Sequence, residues 1–142
     1  MVMKRYLPVL LALFSFSCSA PAGVTNDNPG SRRITQRVWE LRKIYLDSVN
    51  LAAPVYILLS GSGQISGFAG CNTFAGRYVM HDVKFELTEA AAVTRKYCDS
   101  TNVETRFMSY LQQAERIKVF DDRLELQKEG VTILSFEEKK ER

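Results

Sequence analysis

The stretch Ile117-Lys118-Val119-Phe120-Asp121-Asp122-Arg123-Leu124-Glu125-Leu126 runs on through Gln127-Lys128-Glu129-Gly130 into Val131-Thr132-Ile133-Leu134-Ser135-Phe136. Ile117 and Val119 on one side of Asp121-Asp122, and Leu124 and Leu126 on the other, alternate with polar residues. That period of two marks a strand with one buried face, and the paired aspartates carry the chemistry of a turn. Glu129-Gly130 supplies a second turn before the last apolar segment. Two hairpins sharing a strand make an antiparallel meander.

Upstream, one segment departs from this pattern. Val103, Phe107, Tyr110, Leu111 and Ala114 recur at helical spacing and predict a helix over about 102–115 with one apolar stripe. Thr101 and Glu104 have the spacing of a capping box, and Asp99 puts negative charge near the positive end of the helix dipole. Such a stripe is core, so the helix is expected to lie as a lid on the sheet. Further upstream Val83, Phe85 and Leu87 alternate with polar residues, Val55 to Leu59 is continuously apolar, and Trp39 and Leu41 alternate with Glu40 and Arg42. Ser60-Gly61-Ser62-Gly63 turns the chain into Gln64 to Phe68. The expected fold is mainly β with one α-helix: an antiparallel, barrel-like sheet capped by a single helix, over residues 38–138, with a charged tail at 139–142.

Composition agrees with one globular domain: 142 residues, 46% hydrophobic and 25% charged. The 19 basic and 16 acidic residues give a formal +3. Without the first 17 residues, which hold Lys4 and Arg5 and no acid, the balance is 17 against 16. A net +1 is no footprint for nucleic acid. One His and three Cys leave little material for a multi-ligand metal site, and nothing asks for a cofactor.

The N-terminus has the form of an export signal. Lys4 and Arg5 precede an apolar run from Tyr6 to Phe16, and small residues follow from Ser17 to Gly23. About eleven residues are too few to span a ~30 Å hydrocarbon core as a helix. Cys18, after Ser17, resembles the lipidated cysteine of a bacterial lipobox, although Ser15 and Phe16 depart from that pattern. Residues 1–17 are thus expected to be a lipoprotein-type signal peptide and Cys18 to carry the acyl chains (palmitate among them). Ordinary cleavage near Ala20-Pro21-Ala22 is the alternative, leaving a soluble periplasmic protein. Ser19, by resemblance to sorting in Gram-negative envelopes, favours the outer membrane. Residues 18–37 read as a flexible tether, its composition too polar to offset the entropy of ordering. Arg32, Arg33 and Arg37 read there as solvated charges.

The run Gly67-Phe68-Ala69-Gly70-Cys71-Asn72-Thr73-Phe74-Ala75-Gly76-Arg77-Tyr78 resembles the signature of the META/HslJ domain, G-x-x-G-C-N-x-(apolar)-x-G-x-Y. Val38-Trp39-Glu40-Leu41 stands where that family opens its first strand. Ala92 to Cys98, with Thr94 and Cys98 four apart, resembles its second motif, departing from it at Lys96-Tyr97. The resemblance spans Val38 to Glu137. It implies a compact β-barrel-like domain with one helix on a bacterial envelope lipoprotein, associated in some members with heat shock and tolerance of novobiocin, and it implies no catalytic activity. Read physically, Gly63, Gly67, Gly70 and Gly76 suggest tight turns, a bulge or close backbone approach, and Asn72 suits a left-handed turn. A phosphate-cradling loop would need a strand-to-helix setting and usually a Lys.

With Cys18 removed or acylated, Cys71 and Cys98 form an even pair in an exported chain, which reads as a disulfide. Closing about 27 residues would stabilise by about 3–4 kcal/mol in the chain-entropy model. Two buried thiols or a redox-active pair are the alternatives. His81, between Met80 and Asp82, reads as an exposed hairpin residue; as a base or a partner of Cys71 it would need proximity that spacing does not show. Asp82, Glu89 and Asp99 are not distinguished from solvated carboxylates. The function expected is non-catalytic: an envelope-anchored monomer with a binding or stress-support role, held to the membrane by its lipid and meeting another envelope protein or a small apolar ligand. A barrel pocket lined by Phe68, Phe74, Tyr78 and Phe85 is the first rival reading, and a thiol-dependent enzyme the second.

Overall fold

The computed structural model describes residues 34–49, 53–94, 96 and 101–140. The strands are β1 (Val38–Ile44), β2 (Asp47–Ser48), β3 (Val55–Leu59), β4 (Gln64–Ala69), β5 (Thr73–His81), β6 (Lys84–Val93), β7 (Arg116–Val119), β8 (Arg123–Lys128) and β9 (Val131–Glu138). The helix α1 (Thr101–Gln112) stands between β6 and β7. Neighbouring strands are antiparallel in the order β1-β3-β4-β5-β6-β7-β8-β9, and β9 pairs back onto β1, closing an eight-stranded barrel that carries α1. The two-residue β2 only extends the edge of β1.

Alternation along each strand sends one set of side chains inward. Trp39 and Leu41 are buried on β1, and a bulge between Leu41 and Lys43 shifts the period so that Ile44 is buried too. Ile57, Ile65, Phe74, Tyr78, Phe85, Leu124, Leu126, Leu134 and Phe136 continue the interior around the ring. At the β8–β9 turn Glu129 and Gly130 have φ of 50° and 82°, the left-handed pair of a type I′ hairpin.

The helix reaches β1, β4, β6 and β9, strands from all round the ring, so it crosses one mouth of the barrel. Phe107 and Leu111 are fully buried beneath it. The Phe107 ring sits 5.7 Å from Phe74 on β5 and 6.4 Å from Phe136 on the opposite wall. That is the lid expected from the apolar stripe.

Two local expectations change. Residues 34–37, assigned by composition to the tether, belong to the domain. Ile34 is fully buried, its carbonyl accepts from Trp39 Nε1 at 2.9 Å, and Arg37 donates to Glu138 Oε2 at 2.9 Å and to the Asp121 carbonyl at 2.8 Å. A single apolar residue in a polar run is invisible to composition but sufficient to plug a gap beside a Trp. Val83, read as the first inward residue of its strand, lies in the exposed β5–β6 turn beside Asp82, whose φ is 54°.

Candidate functional site

The family signature falls at the lidded mouth, where the β4–β5 turn meets the start of α1. Gly70 has φ of 101°, a conformation L side chains rarely adopt, which lets the turn present Cys71 and Asn72 inward. Asn72 is buried and its groups are shared among three segments. Its backbone N–H donates to Glu104 Oε2 at 2.9 Å and its Nδ2 to Glu104 Oε1 at 3.0 Å. Its Oδ1 accepts from the Lys96 backbone N–H at 2.7 Å and from Thr94 Oγ1 at 3.0 Å. Its carbonyl accepts from the Ala69 N–H at 2.8 Å. The Thr94 hydroxyl accepts in turn from the Thr73 N–H at 3.2 Å. One side chain thus ties the turn, the chain leaving β6 and the first turn of the lid, and the helix dipole favours the Glu104 carboxylate there.

Both carboxylate oxygens of Glu104 go to Asn72, so the residue read as half of a capping box serves a tertiary bond. Asn72 has no left-handed backbone; its amide works at long range. The Cys71 Sγ lies 3.4 Å from Asn72 Nδ2 and 3.6 Å from the Lys96 carbonyl. Cys98 and Cys18, like Asp99, lie outside the described residues.

Other signature residues lie elsewhere. Gly67 faces inward on β4, where the Tyr56 carbonyl and the Phe74 ring approach. Gly76 lies at the irregularity between Ala75 and Arg77. Tyr78 is buried six residues along β5 from Asn72, roughly 20 Å away at strand rise. Its hydroxyl donates to the Ser60 carbonyl at 2.7 Å and its ring stacks on Phe85 at 5.5 Å. The motif therefore builds two supports, one under the lid and one in the wall.

Burial raises the Tyr78 hydroxyl above its ordinary pKa of 10.0. The unfolded chain then ionises first, so this contribution is complete below pH 10 and is lost as pH rises through the folded value. Tyr78→Phe is expected to cost about 1 kcal/mol at neutral pH through the lost bond to Ser60. It should also shrink the loss of stability above pH 10, as measured by urea unfolding at pH 7 and 10.5.

His81 ends β5, and Cys71 precedes its start. The eight-residue rise of the strand separates them by about 26 Å, so these two form no thiol–imidazole dyad. Glu89 lies 3.9 Å from Arg77, both exposed, and Asp82 is an exposed turn residue. Phe74, Tyr78 and Phe85 belong to the packed interior, whereas Phe68 stacks on Tyr56 at 6.4 Å on the outer face of the sheet. The four aromatics do not line one cavity.

A closed antiparallel barrel lidded by one helix and pinned by the G-C-N turn is the architecture this site defines. The META domain family model matches residues 32–141, and the chain belongs to that family. The match begins upstream of Ile34. No curated protein matches the chain. Among solved structures, the NMR structure of a protein from Burkholderia xenovorans is 20% identical with a TM-score of 0.57, covering 99% of this chain and 100% of that one. A second NMR structure is 18% identical with a TM-score of 0.61, covering 75% and 92%. The crystal structure of a DUF4847 family protein from Bacteroides vulgatus ATCC 8482 is 14% identical with a TM-score of 0.59, covering 80% and 99%. These likenesses are of fold. Among the described residues no helix is long and apolar enough to cross a membrane.

Proposed function

We propose that this protein is an exported envelope lipoprotein of the META/HslJ type, anchored through Cys18, that works by binding and not by catalysis. The observation that carries this reading is the use made of the signature. Asn72, Glu104, Thr94 and Cys71, the polar groups brought together under the lid, are engaged with one another and with the backbone. Groups committed in this way stabilise a scaffold and leave its outer surface to meet a partner. A Cys71–Cys98 disulfide fits the same design, because it would clamp the segment between β6 and α1 to the turn that Asn72 already holds. Support of the envelope under stress is the role the family resemblance suggests for such a scaffold.

The test is the intact mass of protein purified from its native membranes, with and without reductant, beside Cys18→Ala. The expected species begins at Cys18, carries acyl chains, and is two hydrogens lighter when unreduced; Cys18→Ala should abolish processing and acylation. Cleavage near Ala20-Pro21-Ala22 would overturn the anchor, and two free thiols would overturn the disulfide.

A further inference from the structure

The barrel is closed unevenly. Most neighbours share ladders of several residues, but β6 and β7 share the single pair Lys84↔Arg116. Two backbone bonds flank it, Phe85 N–H to the Glu115 carbonyl at 2.9 Å and Ile117 N–H to the Val83 carbonyl at 2.8 Å. Beyond Phe85, β6 runs on to Val93, whereas β7 begins at Arg116 and runs the opposite way past the β5–β6 turn. The chain just before β7, Gln113 to Glu115, comes from α1, and among the described residues no strand is registered against that edge.

The direction of the next backbone groups follows from two independent contacts. Tyr78 donates its N–H to the Gly63 carbonyl at 2.9 Å, on the β4 side of β5. Its cross-strand partner Leu87 is therefore in a non-hydrogen-bonded pair and turns its own N–H and C=O away from β5. Phe85, two residues earlier, uses that same outer edge to reach Glu115. The edge thus presents Leu87 as the next donor and acceptor in line, with only part of its side chain packed on the core.

Beside this edge lies a cleft of about 600 Å³, floored by the outward faces of Val79 and Glu86 and walled by Gln113 to Arg116 after the helix. Its rim carries Lys84, Arg116 and Lys128. Among the described residues none of the three pairs with a carboxylate; Lys128 Nζ donates to Gln113 Oε1 at 3.0 Å. Of the two carboxylates present, Glu115 accepts from the Glu129 N–H at 3.2 Å. A sheet edge with backbone groups in register recognises another extended backbone, and cations without ion-pair partners select its side chains.

We propose that the β6 edge receives an extended acidic segment of a partner protein, which adds as a strand at Leu87 and sets its carboxylates against Lys84 and Arg116. The proposal deepens the reading of the domain as a binding module, supplying the chemistry of the partner. A second copy is the less suitable occupant, because it would bring its own wall of residues 113–116 to the same slot.

The probe is a fluorescein-labelled heptapeptide of alternating valine and threonine with glutamate at both ends, and a twin methylated on alternate backbone nitrogens. With purified protein, saturable binding is expected, weakened at least about tenfold by methylation on the bonding edge and about tenfold by Lys84→Glu with Arg116→Glu. Amide exchange at Leu87 should slow at saturation while the amides that bond β5 to β6 are unchanged. Both substitutions are at exposed positions, and an unchanged melting curve checks that the fold is intact. Equal binding of the methylated twin, an unprotected Leu87 amide at saturation, or no binding at millimolar peptide would each overturn the proposal. So would sedimentation as a dimer in which Leu87 is protected without peptide. None of these results bears on the anchor, which the mass measurement decides separately.

Discussion

Asn72→Ala is expected to lower the unfolding free energy by about 3–5 kcal/mol, among the largest effects of any polar substitution in the domain. The truncation removes the donor that faces Glu104 Oε1 at 3.0 Å and the acceptor that faces the Lys96 N–H at 2.7 Å and the Thr94 hydroxyl at 3.0 Å. Those groups are partly buried, and water does not reach them as freely as in the unfolded chain. The cost is therefore the desolvation of partners left without bonds, in addition to the bonds themselves. Urea unfolding monitored by Trp39 fluorescence checks it, since Trp39 is fully buried in the same barrel. A loss below about 1 kcal/mol would mean that the cluster relaxes and that Asn72 does not hold the lid.

Asn72→Asp separates charge from shape. The new carboxylate would face Glu104 at about the distance now occupied by Nδ2, 3.0 Å, and two like charges there cannot both remain ionised comfortably. The folded pKa of the pair rises above the unfolded carboxylate range near 4. Its contribution is then best at low pH and is lost as pH rises through the folded value. The variant should accordingly gain stability relative to wild type on going from pH 8 to pH 5, whereas Asn72→Ala should show no such relative gain.

The second large effect is steric. At Gly67 an added Cβ would stand 2.0 Å from the Tyr56 carbonyl oxygen and 2.9 Å from the Phe74 ring. The carbonyl is backbone of the neighbouring strand, paired with β4 along its length, so it cannot move aside without opening the β3–β4 ladder. Gly67→Ala is expected to cost more than the ~1–3 kcal/mol of ordinary overpacking, and to show as a melting temperature lowered by on the order of 10 °C or more, or as failure to accumulate. Gly61→Ala is the control: it meets nothing within 4 Å, and its effect should stay within about 0.5 kcal/mol. Equal effects at the two glycines would show that chain entropy and not close approach governs the loop.

The likeness of the two sites explains why a short motif can mark a whole domain. Gly67 admits a neighbouring strand, Gly70 turns the chain, and Asn72 binds what arrives from β6 and α1. Each residue answers a constraint set by a different element.

How much of this could be read in advance follows from the range of each interaction. The strands around Leu124, Leu126 and Phe136, the Glu129-Gly130 turn and the apolar stripe of α1 are written in spacings of two to four residues, because burial of one face is a local periodicity. The sequence by itself therefore determined a mainly antiparallel chain with one lid helix. Three things required the third dimension. Closure of the barrel depends on β9 meeting β1 almost a hundred residues apart, with no trace in either strand's pattern. Ile34 became core only because its carbonyl takes the Trp39 indole N–H and the next residue, Thr35, bridges to Leu59, a docking that composition cannot foresee. Glu104 exchanged an expected local cap for Asn72, 32 residues distant, because a bond to a buried amide is worth more than a bond that water can replace.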